Sequence, residues 1–142
     1  VAALLVPFCA WPQGTVSSAE RDLFALINRD RQAQGLRPLR WDDNLTTAAR
    51  QHSQEMARHG ALSHQFPGEP SLSTRARQSG VHYAWLSENV DQGHDSRSLN
   101  DQWMNSPPHR GNILDKDMDS VGVGVVESRG LLWATADFSQ AK

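Results

Sequence analysis

Cysteine is nearly absent from this chain: Cys9 is the only one in 142 residues. No disulfide can form within it, and a zinc site built mainly from thiolates is excluded, so any metal must be held by histidine and carboxylate. An excess of either charge is lacking too. The formal net charge is −2 and the basic residues are scattered, which excludes the dense Lys/Arg face that nucleic acid or an anionic membrane requires. There is no apolar run long enough to span a bilayer, no internal repeat and no low-complexity segment. What is present is ordinary for a soluble globular protein. Hydrophobic residues make up 38% and charged residues 21%, and the length suits one domain with its own core.

The chain divides into an apolar segment, residues 1–16, and a domain, residues 17–142. VAALLVPFCA at the start is too short to cross a membrane, and neither an initiator methionine nor a basic stretch precedes it. It reads as the remnant of an export signal, as a lipoprotein junction at Cys9, or as an arm that docks on the domain or on a neighbouring molecule. Phe8 is bulky where either cleavage pattern wants a small residue.

Ser17 and Glu20 have the spacing of a capping box, Leu23, Phe24 and Ile27 share a face behind it, and Gly35 can close the helix. LRPLRW follows as an extended connector. A second helix is expected from Asp42 or Asp43 to Gly60, with Leu45, Ala48, Ala49, His52 and Met56 on one stripe. Pro67, Gly68 and Pro70 break up the next stretch. A short helix capped by Ser71 spans Leu72 to Ser79, VHYAWLSENV is partly extended, and another helix runs from Ser96 to Asn105 with Leu99 and Trp103 on its buried side. SVGVGVVE and LLWATADF, separated by SRG, form a hairpin in which Gly122 and Gly124 leave room for a close helix or strand. Helices first and a hairpin last point to an α+β or layered α/β/α domain.

Six histidines are the candidates for chemistry. His52 lies on the apolar stripe of the second helix, where a hydrogen-bonded core residue is the simpler reading than a ligand. His59 suits a helix C-terminus, and His82 and His94 sit in polar, turn-prone stretches. His64 and His109 each follow a serine-containing turn between elements, where side chains converge on clefts. Glu88, in SENV, is a carboxylate in an apolar segment that needs a partner if buried. His, Glu and His can hold Zn²⁺ or another divalent ion, although their separation gives no helical metal motif. Ser106, three residues before His109, raises a nucleophile and its base with Glu88 as orienter. No nucleophile elbow surrounds it, and a turn-capping role with Pro107 and Pro108 competes.

The pieces LINRDRQAQGLRPLRWDDNLTTAARQHSQEMARHGALSH, SENV, QWMNSPPHRGNIL and VGVGVV…LLWATADFS, in that order, resemble the CAP superfamily (cysteine-rich secretory proteins, antigen 5, pathogenesis-related 1). The likeness is to its cysteine-poor bacterial branch of SCP-like extracellular domains, and it extends from about Leu23 to Phe138.

The resemblance implies a three-layer α/β/α sandwich with a small antiparallel sheet between helical layers, and a cleft holding two histidines and two acidic residues. By motif these fall on His64, Glu88 and His109, with Ser106 standing where the family's second acid belongs. It further implies a secreted, periplasmic or cell-surface binding module. Its ligand would be a small molecule, a lipid or a cell-envelope component, or Zn²⁺ or another divalent cation on His64, Glu88 and His109. A metal- or serine-dependent hydrolase in the same cleft is the alternative.

Overall fold

In the computed structural model, which describes residues 14–142, the first three helices begin where a cap is written into the sequence. Helix α1 (Ser18–Ala33) opens with the expected capping box: Glu20 N donates to Ser17 Oγ at 3.1 Å, and Ser17 N donates to Glu20 Oε2 at 3.0 Å. After the two-residue strand β1 (Arg40–Trp41), helix α2 (Asp43–His59) starts on the Asp42 cap and stops at Gly60, whose φ of 62° is left-handed. Helix α3 (Leu72–Gln78) is capped by Ser71 as expected. Strand β2 (Tyr83–Gly93), helices α4 (Ser96–Met104) and α5 (Pro107–Ile113), and strands β3 (Ser120–Ser128) and β4 (Leu131–Ala141) complete the order. The apolar segment falls outside the described residues, apart from its last three.

The sheet runs β1-β3-β4-β2, with β2 at one edge. Strands β2, β4 and β3 are antiparallel, whereas β1 pairs parallel to β3, so the sheet is mixed. Its two faces follow from the pleat. Val121 and Val123 with Ala134, Ala136 and Phe138 meet Leu23 and Ile27 of α1, Leu99 and Trp103 of α4, and Ile113 of α5 in the main core. On the opposite face Gly122 and Gly124 receive α2. A Cβ on Gly122 would lie 2.2 Å from Thr46 N, and one on Gly124 would lie 2.3 Å from Arg50 N. The close approach expected from these glycines is therefore made by backbone. Helices on both faces give the three-layer α/β/α sandwich.

Besides adding the short parallel strand β1 to an otherwise antiparallel sheet, the structure amends the expectations at two places. Helix α5 replaces a simple turn after Asn105: Pro107 is its first residue, where a missing N–H costs nothing, and Ser106 holds the extended geometry that precedes proline. The Ser106 side chain makes no capping hydrogen bond. Strand β2 covers eleven residues although its alternation is weak, because Glu88, Asn89 and Val90 are buried in succession. A strand covered on both faces loses the polar half of its pattern.

Candidate functional site

The site grows from the segment between α2 and α3, which proline and glycine keep irregular and buried side chains hold in place. His52, fully buried on α2, donates from Nε2 to the Ser63 carbonyl at 2.7 Å and meets the Glu69 carboxylate with Nδ1. Both nitrogens are thus spent on the segment, and the reading of His52 as a hydrogen-bonded core residue holds. Glu69 Oε2 also accepts from Phe66 N at 3.0 Å, and Phe66 stacks on His59 with ring centroids 3.9 Å apart. His82 and His94 are exposed.

Arg75 of α3 closes the segment from beneath. Its Nη1 donates to the Pro70 carbonyl at 2.9 Å and to the His64 carbonyl at 3.3 Å, while Nη2 donates to Glu88 Oε2 at 2.6 Å. Arg75 and Glu88 side chains are each 3% exposed. Glu88 Oε1 accepts from His64 Nδ1 at 2.9 Å, and the His64 side chain itself is 61% exposed. One imidazole is therefore presented to solvent on a buried ion pair, with its Nδ1 committed to Glu88. The hydrogen bond to Glu88 raises the His64 pKa above its ordinary value, against the opposing effect of burial.

A further acid lies underneath. Glu88 of β2 is directly opposite Asp137 of β4, and Asp137 is opposite Gly122, so the three form one row under α2. Asp137 is fully buried, and neither of its oxygens meets a donor from another residue. Two facing carboxyls bond only when one carries the proton. Burial, the Glu88 charge and the bond to Glu88 push the Asp137 pKa well above its ordinary value. Burial also works to raise Glu88, but the bonds from His64 and Asp137 and the charge of Arg75 outweigh it and hold its pKa down. Glu88 is the ionised member of the pair and Asp137 the neutral one.

His109 projects from α5. The Asn89 amide donates to its carbonyl at 2.9 Å, and the Asn112 amide donates to Asn89 Oδ1 at 2.8 Å. Its Nδ1 is buried without a partner. Burial lowers its pKa, Asp91 counteracts this, and the charge on His64 adds to the lowering. The structure thus joins His64 to Glu88 directly and sets His109 within electrostatic reach of His64. Among the described residues no hydrogen bond links Ser106 to His109, so a serine dyad is not assembled, and no group of three or more His, Cys, Asp or Glu side chains is gathered to hold a metal ion.

His64 and Glu88 open into a groove of about 690 Å³ with Ser71, Leu72, Tyr83 and Trp85. A second groove, about 660 Å³, lies where Arg75 meets Arg50, Arg58 and Pro67, and contains none of the sequence candidates. Sequence reasoning missed Arg75, Glu69, Asn89 and Asp137. Only Asp137 carried a signal, as an acid in WATADF whose neighbours in the strand are apolar or uncharged.

A family model described as CAP, the cysteine-rich secretory protein family, matches residues 24–138. The chain is 38% identical over 120 residues to the uncharacterized protein YkwD of Bacillus subtilis, an alignment covering 84% of this chain and 46% of that protein. It spans less than half the length of the curated relatives it matches. Among solved structures it is similar to an extracellular protein containing a SCP domain from Bacillus anthracis (29% identity, TM-score 0.80, 87% of this chain and 40% of that one). An outer surface protein of Borrelia burgdorferi shares the fold at 18% identity (TM-score 0.82, 91% of this chain and 97% of that one). No helix among the described residues is long and apolar enough to cross a membrane.

Proposed function

The chain belongs to the CAP family, and on that footing we propose that it is an exported binding module that takes a polar ligand at the groove containing His64. The observation that carries this reading is the way His64 is held. Its Nδ1 is fixed by Glu88, Glu88 is clamped by Arg75, and the ring remains exposed. Rigid support behind one exposed polar group is what a recognition site needs, because little ordering entropy is left to lose on binding. Relatives described as extracellular or outer-surface proteins support export. Co-sedimentation with washed cell envelopes tests the reading. His64→Ala should lose retention while staying folded, with only the modest fall in melting temperature expected when Glu88 loses one donor, and equal retention of the variant would overturn the reading.

A divalent cation is the second reading, favoured by the buried, unpartnered Nδ1 of His109. The residues do not fit a three-ligand centre, because both Glu88 oxygens are engaged by His64 and Arg75. A cation would rest on the His64 and His109 imidazoles, with Glu88 behind His64 as an orienting carboxylate. Calorimetric titration with Zn²⁺ should show weak binding that His64→Ala abolishes. Protons compete for the ring, and the raised His64 pKa means that affinity falls as pH drops through that value. Equal, negligible heats for both proteins would remove the cation.

A further inference from the structure

We propose that the ligand of the His64 groove is a neutral oligosaccharide, one pyranose ring of which stacks on the indole of Trp85; this rests on the groove being the binding site. Trp85 is 63% exposed, and the only other exposed large apolar side chain among the described residues is Leu62 at 45%. Trp103 and Trp133, by contrast, are buried. A single exposed indole is ordinary on a protein surface; one that lines a groove beside hydroxyl and amide groups offers a flat stacking face with polar partners at its rim. Strand β2 shifts register between Tyr83 and Trp85, the kind of irregularity that re-aims a side chain, and Trp85 lines the same groove as His64 and Glu88.

The groove's charges decide the ligand's class. Apart from the Tyr83 phenol, Glu88 and His64 are its only ionisable groups; Glu88 pairs with His64 on one oxygen and with Arg75 on the other, and Arg75 is shared with Glu69, so two carboxylates balance the two cations. No cation is left over for a phosphate or carboxylate, and no positive track exists of the kind a nucleic-acid strand follows when its bases stack on aromatic rings. The rest of the lining is neutral: Ser71, Ser73, Tyr83 and the Gln65 amide offer hydroxyl and amide partners beside Trp85 and Leu86. An acyl chain wants an enclosing apolar tunnel, whereas this groove is open to solvent. A sugar ring has one C–H face for the indole and hydroxyl edges for the rim, and leaves its other face in water.

The test uses the intact chain with ¹⁵N-labelled indoles, titrated with neutral hexasaccharides of β-1,4-linked N-acetylglucosamine, β-1,4-linked glucose and α-1,6-linked mannose, and separately with short-chain phosphatidylcholine. At least one hexasaccharide should move the Trp85 indole signal. Trp85→Ala should weaken that binding by about tenfold or more, as loss of a stacking platform does, while Trp85→Phe retains part of it and the Zn²⁺ response is unaffected. The inference is overturned if no hexasaccharide shifts the signal, if Trp85→Ala binds as well as wild type, or if only the phospholipid shifts it. Loss in Trp85→Ala with full retention in His64→Ala would uphold the sugar platform and reject His64 as the recognition group. The reverse pattern would reject the platform alone.

Discussion

Replacing Arg75 by methionine keeps the length of the side chain and removes the charge on which the site is built. Arg75 faces Glu88 at 2.6 Å and Glu69 at 3.4 Å, with side-chain exposures of 3% for Arg75 and Glu88 and 5% for Glu69. Breaking a buried ion pair from one side costs about 3–5 kcal/mol, because the partner charge stays buried without compensation. The carbonyls of Pro70 and His64 also lose a donor. We therefore expect Arg75→Met to lose about 4 kcal/mol at neutral pH, or roughly 10 °C in melting temperature for a chain of this size. Urea unfolding followed by tryptophan fluorescence would measure it. The pH dependence has a definite sign. In the wild type the Glu88 pKa is depressed, so its contribution is present above the unfolded value and lost as pH falls through the folded one. Without Arg75 the effect of burial prevails, Glu88 takes up a proton at higher pH, and the deficit narrows on acidification. Glu88→Gln added to Arg75→Met should recover part of the loss. A deficit below about 1 kcal/mol, the range of an exposed pair, or one that does not change with pH, would refute this account of the site.

Asp137→Asn should stabilise the protein at neutral pH. The Asp137 pKa is raised, so its contribution is full below the unfolded value and lost as pH rises toward the folded one. An amide donates to Glu88 without having to keep a proton, and the gain should be about 1.4 kcal/mol for each tenfold of proton affinity that burial has added. Thermal melts from pH 4 to 8 would show the two proteins converging in acid; a variant less stable throughout would contradict the neutral-acid assignment. Gly122→Ala should cost at least the upper part of the roughly 1–3 kcal/mol range for overpacking, since the new methyl meets the backbone of α2. Gly111→Ala on α5, where an added Cβ would meet nothing within 4 Å beyond its own helix backbone and chain neighbours, is the control and should be neutral or mildly stabilising in the same urea titration.

Caps and stripes made α1 and α2 legible because both are local signals: Ser17 with Glu20, Asp42 with Gly60, and apolar residues three and four apart. The glycines of β3 announced a close approach that α2 makes. Helix α5 was not legible, since seven residues beginning with two prolines carry no period. His64, Glu88 and His109 each stood out in the sequence by local setting, but only motif resemblance joined them into one site, as the hydrogen bond from His64 to Glu88 bridges 24 positions. Arg75 was invisible. On a short helix with arginines at 75 and 77, nothing local tells which one turns inward, and the choice is made by the Glu88 and Glu69 carboxylates that the fold brings to it.

Adjacent residues of a strand point to opposite faces, and β2 makes use of this at Glu88 and Asn89. Glu88 holds the His64 ring, and Asn89 holds the His109 backbone. The His64 ring and the His109 backbone thus hang from consecutive links of one strand, and the gap between the two attachments is gauged by the thickness of a single backbone. Lengthening the chain between Gln65 and Gly68, or near Asn105, would leave that gap nearly intact. Slipping β2 by one residue against β4 would exchange what each side carries and dismantle it. Variation in this domain should therefore collect in the loops that deliver the histidines, while the register of one strand keeps them apart.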